Sequence, residues 1–188
     1  MKKFLIAAVA ALLATGAVSA QGWEFGFKAG LNVSSETIDQ DSRPRPGINA
    51  GLVSEYVFSD KFGFQTELLY SQQGVRIRLE PVTMKLDYIT LPLIAKFYWG
   101  RASLDAGLQP GYMVNAMIVE RYGGYSDSMN IYDDPELNKF ELSLCLGFSY
   151  IFTSGIDITV RSNLGITPIV DYSDSRHSVA QFSVGYRF

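Results

Sequence analysis

WEFGFKAGLNV, residues 23–33, decides the fold. Trp23, Phe25, Phe27, Ala29, Leu31 and Val33 alternate with Glu24, Gly26, Lys28, Gly30 and Asn32. Successive side chains of a strand point to opposite faces, so this stretch is a strand with one apolar and one polar side. A run of about ten such residues is the length of a tilted strand that crosses a bilayer.

The pattern returns along the chain. Ile48, Ala50, Leu52, Tyr56 and Phe58 oppose Gly47, Asn49, Gly51 and Glu55. Phe62, Phe64, Leu68 and Tyr70 oppose Gly63, Gln65, Glu67, Ser71 and Gln73. Further alternating stretches run from Ile89 to Trp99, Ala102 to Val114, Phe140 to Phe152, Ile156 to Arg161 and Ala180 to Phe188. Pro92 removes a ladder donor and makes its strand the least regular. Tight turns fall at Ser59-Asp60-Lys61, Gly100-Arg101 and Thr153-Ser154-Gly155. Longer polar segments, 34–45, 74–85, 116–138 and 165–176, lie between them and read as loops. The expectation is all-β: an eight-stranded antiparallel up-and-down transmembrane β-barrel, with short turns and both termini on the periplasmic rim.

The first twenty residues read as a secretory signal peptide: Met1-Lys2-Lys3, the apolar run Phe4 to Ala14, and small residues at Val18 and Ala20. Cleavage after Ala20 leaves Gln21 first, with 21–188 forming one barrel domain. After that segment no apolar run is long enough for a helical span, so residence in a membrane requires a closed barrel. The formal net charge of −3 argues against a nucleic-acid binder, which needs a basic surface. Cys145 is the single cysteine and His177 the single histidine, so neither an intramolecular disulfide nor a Cys/His zinc site is expected. No cofactor is expected.

A soluble barrel such as a lipocalin would turn the apolar face inward. Volume argues against it, because an eight-stranded barrel could not enclose so many Phe and Trp rings. Position argues the same way. Trp23, Phe58, Phe62, Trp99 and Phe152 gather beside the short turns and termini, as an interfacial aromatic girdle does. The last strand, with Phe182, Val184, Tyr186 and terminal Phe188 on one face, resembles the signal read by the outer-membrane barrel assembly machinery.

The whole of 21–188 resembles the PorT-like, outer membrane protein beta-barrel domain family of small barrels. The landmarks are WEFGFKAGLNV (23–33), DYITLPLIAKFY (87–98), GLQPGY (107–112) and the final strand. The resemblance implies an eight-stranded barrel in a Gram-negative outer membrane, with a periplasmic N-terminus, and implies little about activity.

By parity, Glu24, Lys28, Glu55, Glu67, Lys96, Asp105, Glu141, Asp157, Arg161 and Arg187 face the lumen. Charges in so narrow a space must be paired, so a salt-bridge network that plugs the barrel is the leading expectation. A narrow ion or small-solute path lined by the same charges is the alternative. Lipid-modifying catalysis would need His177, Ser178 and an acid such as Asp171 or Asp174, but adjacent strand residues point apart. His177 reads as solvated at a loop rim, and the protein as a non-enzyme.

The polar segments supply candidate contacts. Glu36, Asp39, Asp41, Arg43 and Arg45 occupy the first. Tyr122, Tyr125, Asp127, Tyr132, Asp133, Asp134 and Glu136 occupy the third, where the acids could hold a divalent cation, although no EF-hand spacing is present. The expected function is a monomeric, membrane-embedded scaffold. Its partners would be outer-membrane lipid, the assembly machinery, and an extracellular protein or glycan at the loops.

Overall fold

The computed structural model describes residues 22–36, 42–77, 82–122, 125–170 and 175–188. The expected signal peptide 1–20, Gln21, Asp39, Asp41, Asp171, Asp174 and the side chain of Tyr122 lie outside the described residues. The strands are β1 (Trp23–Glu36), β2 (Ser42–Ser59), β3 (Phe62–Ile77), β4 (Val82–Thr90), β5 (Leu93–Trp99), β6 (Ala102–Tyr122), β7 (Tyr125–Asn130), β8 (Phe140–Ile151), β9 (Ile156–Gly165) and β10 (His177–Arg187).

These ten segments make eight staves. β4 and β5 are two halves of one strand broken at Leu91-Pro92, each pairing with β3 and β6. Pro92 explains the break, since it has no N–H to give, while its carbonyl accepts from Glu67 N at 3.1 Å. β7 pairs only with β6 and extends beyond the ring. Every neighbouring pair is antiparallel, and β1 meets β10 from Gly26↔Arg187 to Glu36↔His177, which closes the ring.

The faces follow the parity of the sequence within the membrane band. Phe27, Leu31, Leu104, Phe148, Val160 and Phe182 are exposed on the outside, while Gln65, Glu67, Thr159 and Arg161 are buried within. A membrane supplies the apolar solvent that this outer surface requires.

The long segments behave differently from their reading as loops. The β2–β3 ladder reaches Ser42↔Ile77, and β6 runs on to Tyr122. Once a strand leaves the bilayer both its faces meet water or loop, so apolar alternation fades while the hydrogen-bond ladder continues. A bulge also shifts the phase of β6. Tyr88 pairs with Met113 and Asp87 with Asn115, so Val114 is skipped, and beyond it Ala116 rather than an odd-numbered residue turns inward.

A closed ladder of this kind resists detergent. Refolded in detergent, the protein should migrate differently in unboiled and boiled samples on a denaturing gel. Identical mobility, together with a β-rich monomer in plain buffer, would contradict the barrel's outer face.

Candidate functional site

The interior is filled in tiers. At its middle, Glu67 of β3 accepts from Lys28 Nζ at 2.8 Å and from both Arg161 terminal nitrogens at 2.8 and 2.9 Å. The paired Arg–carboxylate contact is the geometry that best offsets the cost of burying charge. Gln65 also donates to Glu67, and its carbonyl oxygen accepts from Lys96 at 2.9 Å and Arg187 at 3.2 Å. Glu55 receives Arg187 and, at 3.3 Å, Lys96. Lys28 further reaches Thr159 at 3.3 Å; Thr159 meets Ser149 at 3.1 Å, and Ser149 donates to Asp105. Asp157 accepts from Thr159 at 3.1 Å and lies 3.6 Å from Arg187 Nε. One connected web thus joins both edges of the membrane half of the lumen. A void of about 10 Å³, enough for one water at most, remains among Lys96, Ser149, Asp157 and Arg187, and an open concavity of about 200 Å³ at the short-turn mouth reaches Glu55 and Arg187.

Glu24 departs from its expected place. It stands at the short-turn mouth, with a side chain 46% exposed and 3.6 Å from Arg187, because the strand is leaving the barrel there. Glu141 is buried but belongs to a separate tier, accepting from Ser143 at 2.9 Å and Gln73 at 3.4 Å. Between the two tiers a polar chain runs along the inner wall over four adjacent strands: Ser183 to Asn49 at 3.0 Å, Asn49 to Asn32 at 2.8 Å, and Asn32 to Ser71 at 2.9 Å.

His177 corrects the reading of a solvated rim. It is 2% exposed, stands edge-on to Tyr88 at 5.8 Å, and has Nδ1 3.6 Å from Glu141. Because β10 starts at His177, the residue takes an inward position at the strand's upper end. Ser178 follows on the opposite face, so histidine and serine do not converge.

Above these tiers lies an apolar cap. Leu86, Tyr88, Met113, Ala116, Ile131, Leu137 and Ile169 pack together, with Met84, Ile118, Tyr132 and Val170 against them. Asn138 N donates to the carbonyl of Ile169 at 2.9 Å, and Leu137 bridges Val170, so segments 131–138 and 166–170 hold each other over the mouth. The sequence reading missed this cap. Its signal was present as isolated apolar residues, Ile131, Leu137 and Ile169, inside polar segments. The acids of that region, Asp127, Asp133, Asp134 and Glu136, stay exposed, and no metal-holding cluster forms among the described residues.

Outside, Trp23, Phe58, Phe62, Trp99 and Phe152 are exposed at the short-turn rim. Trp23 packs on Tyr56 at 5.0 Å and Phe62 on Phe97 at 5.3 Å. Phe182, Val184, Tyr186 and Phe188 share the outer face of β10 and the terminus.

A closed antiparallel ring that is apolar outside and charged but filled inside defines an integral outer-membrane β-barrel. The chain belongs to the family described as outer membrane protein beta-barrel domain, whose profile matches residues 19–171, and its place is the bacterial outer membrane. The matched range ends before β10, so closure by the last strand is a finding of the structure. Among curated protein sequences no significant match was found. The fold is similar to that of Ail, the attachment invasion locus protein of Yersinia pestis, at 17% identity over 90% of this chain and 100% of that one, with a TM-score of 0.57. It is also similar to Neisserial surface protein A, at 15% identity over 89% and 98% of the two chains, with a TM-score of 0.55.

Proposed function

We propose that the protein is a monomeric, non-conducting, non-catalytic scaffold that acts through its extracellular hairpins. The observation that carries this reading is the occupied lumen, with an ion-paired web below and an apolar cap above. What remains available to a partner is the surface beyond the cap. Every described residue of β7 is exposed there, with Tyr125 at 84% and Met129 at 60%. Exposed tyrosine and methionine on a rigid hairpin suit contact with an extracellular protein or glycan. The outward aromatic face of β10 supports recognition by the barrel assembly machinery, and the rim aromatics support anchoring at the headgroups.

Planar bilayers test the reading. The wild-type protein should give no unitary current steps, and replacing β7 with a short turn should leave folding intact while removing adhesion to the partner surface. Steady, ion-selective steps from the wild-type protein would favour the narrow-pore alternative and sink the scaffold.

A further inference from the structure

The outer face of β3, β4 and β6 changes character as it rises toward the long-hairpin rim. Leu68, Ile89, Tyr112 and Val114 are apolar or aromatic and exposed. Above them Asn115 donates to Asp87 at 3.0 Å, and Gln72 donates to the Tyr70 hydroxyl at 3.4 Å. Above those stand cations. Met84 and Ile118 pack on the inner cap, so strand alternation puts Thr83 and Lys85 of β4 and Arg121 of β6 on the opposite face, with Val119 buried between them. Arg76 pairs with Thr83, and Arg43 pairs with Arg76, which puts all three arginines on that same outer face.

Arg43 and Arg76 are directly opposite each other in the ladder. Like charges in that position destabilise a sheet. Arg121 joins them around an open concavity of about 320 Å³ that includes Thr83 and Ile77. All three arginines are exposed, and none forms a salt bridge with another described residue. Among the described residues such a cluster lacks a bound anion. Its height says which kind. Thr83 lies six residues beyond Ile89, about 20 Å along the strand and about 15 Å in height once barrel tilt is allowed for. Long arginine side chains reach back from that level toward the headgroups.

We infer that Arg43, Arg76 and Arg121 form a binding site for the phosphate groups on the sugar headgroup of an outer-leaflet glycolipid. Guanidinium forks match phosphate oxygens, and a lipid-borne phosphate is held against this face by its own acyl chains, which lie along the apolar strip below. The site does not depend on the scaffold reading, since it needs only the barrel in its membrane.

The test uses the full folded protein in phosphatidylcholine nanodiscs doped with bisphosphorylated lipid A or its dephosphorylated form, with bound lipid counted by native mass spectrometry. The wild-type protein should retain the phosphorylated lipid preferentially. The triple variant Arg43→Gln, Arg76→Gln, Arg121→Gln should lose about tenfold or more in retention, and the corresponding triple lysine variant, which keeps the charge but not the fork, should fall between it and the wild-type protein. Unboiled gel mobility verifies folding. Should the triple variant misfold, Arg121→Gln alone and a salt titration of the wild-type protein carry the same question. Equal retention of both lipids, or no loss in a folded glutamine variant, would overturn the site. Tighter binding of soluble heparin than of the phosphorylated lipid would overturn it as well, and would reassign the patch to a polyanionic glycan.

Discussion

Glu67→Ala should be the most destabilising single substitution in the lumen. Glu67 is the only carboxylate that Lys28 and Arg161 touch among the described residues, and both cations are buried. Its removal leaves two buried charges without a counter-ion. Breaking one partner out of a buried pair costs about 3–5 kcal/mol. Urea unfolding of the protein in lipid vesicles, followed by the fluorescence of Trp23 and Trp99, measures the loss. The apolar combination Lys28→Met, Glu67→Leu, Arg161→Met should recover most of it, because neutral side chains of similar volume carry no desolvation cost. A loss below about 1 kcal/mol, the range of exposed pairs, would mean that water reaches the network and that the lumen is open. Stability and conductance therefore answer together: a plug loses the first, a pore alters the second.

Val160→Arg should be the most damaging change on the outer surface. Val160 is 45% exposed and sits between Phe148 of β8 and Phe182 of β10, within the apolar band. A charge at the bilayer midplane costs about 2–4 kcal/mol in an outer-membrane barrel and about 0–1 near the interface. The same substitution at Phe152, beside the short turn that ends at Gly155, should accordingly cost far less. Refolding yield into vesicles, read from the unboiled band, reports both variants. Equal penalties at Val160 and Phe152 would show that this face does not meet a graded lipid environment.

The membrane band was legible in the sequence because lipid and lumen impose opposite demands on neighbouring residues. That is why Phe27 and Lys28, or Val160 and Arg161, separate cleanly by parity. Parity says which residues face inward, but not which of them meet. Lys28 finds Glu67 rather than Glu24 because of how the strands stagger around the ring, and no local pattern encodes that stagger. Glu24 failed at the edge, where an inward direction no longer means enclosure. The upper half was poorly legible for two reasons. The bulge at Val114 moves the inward set to the other parity, and the cap is built from residues distant in sequence, such as Leu137 and Val170. The arginine cluster was invisible for a third reason: Arg43, Arg76 and Arg121 are isolated in the chain and become neighbours only through register.

The seam between β1 and β10 has a consequence for how the protein is made. The first strand cannot find its second neighbour until the final strand has been synthesised and exported, since Gly26 pairs with Arg187. Until then β1 keeps one unpaired row of N–H and C=O groups, which lipid cannot satisfy and which would readily template aggregation. Assembly is thus an event of high contact order that completes only when β10 pairs with β1. The unfinished molecule has to be kept out of the bilayer core, or held at its open edge, for the whole of its passage. Loss of β10 would therefore leave a sheet with two bare edges and no route to closure, rather than a barrel that is slightly weaker.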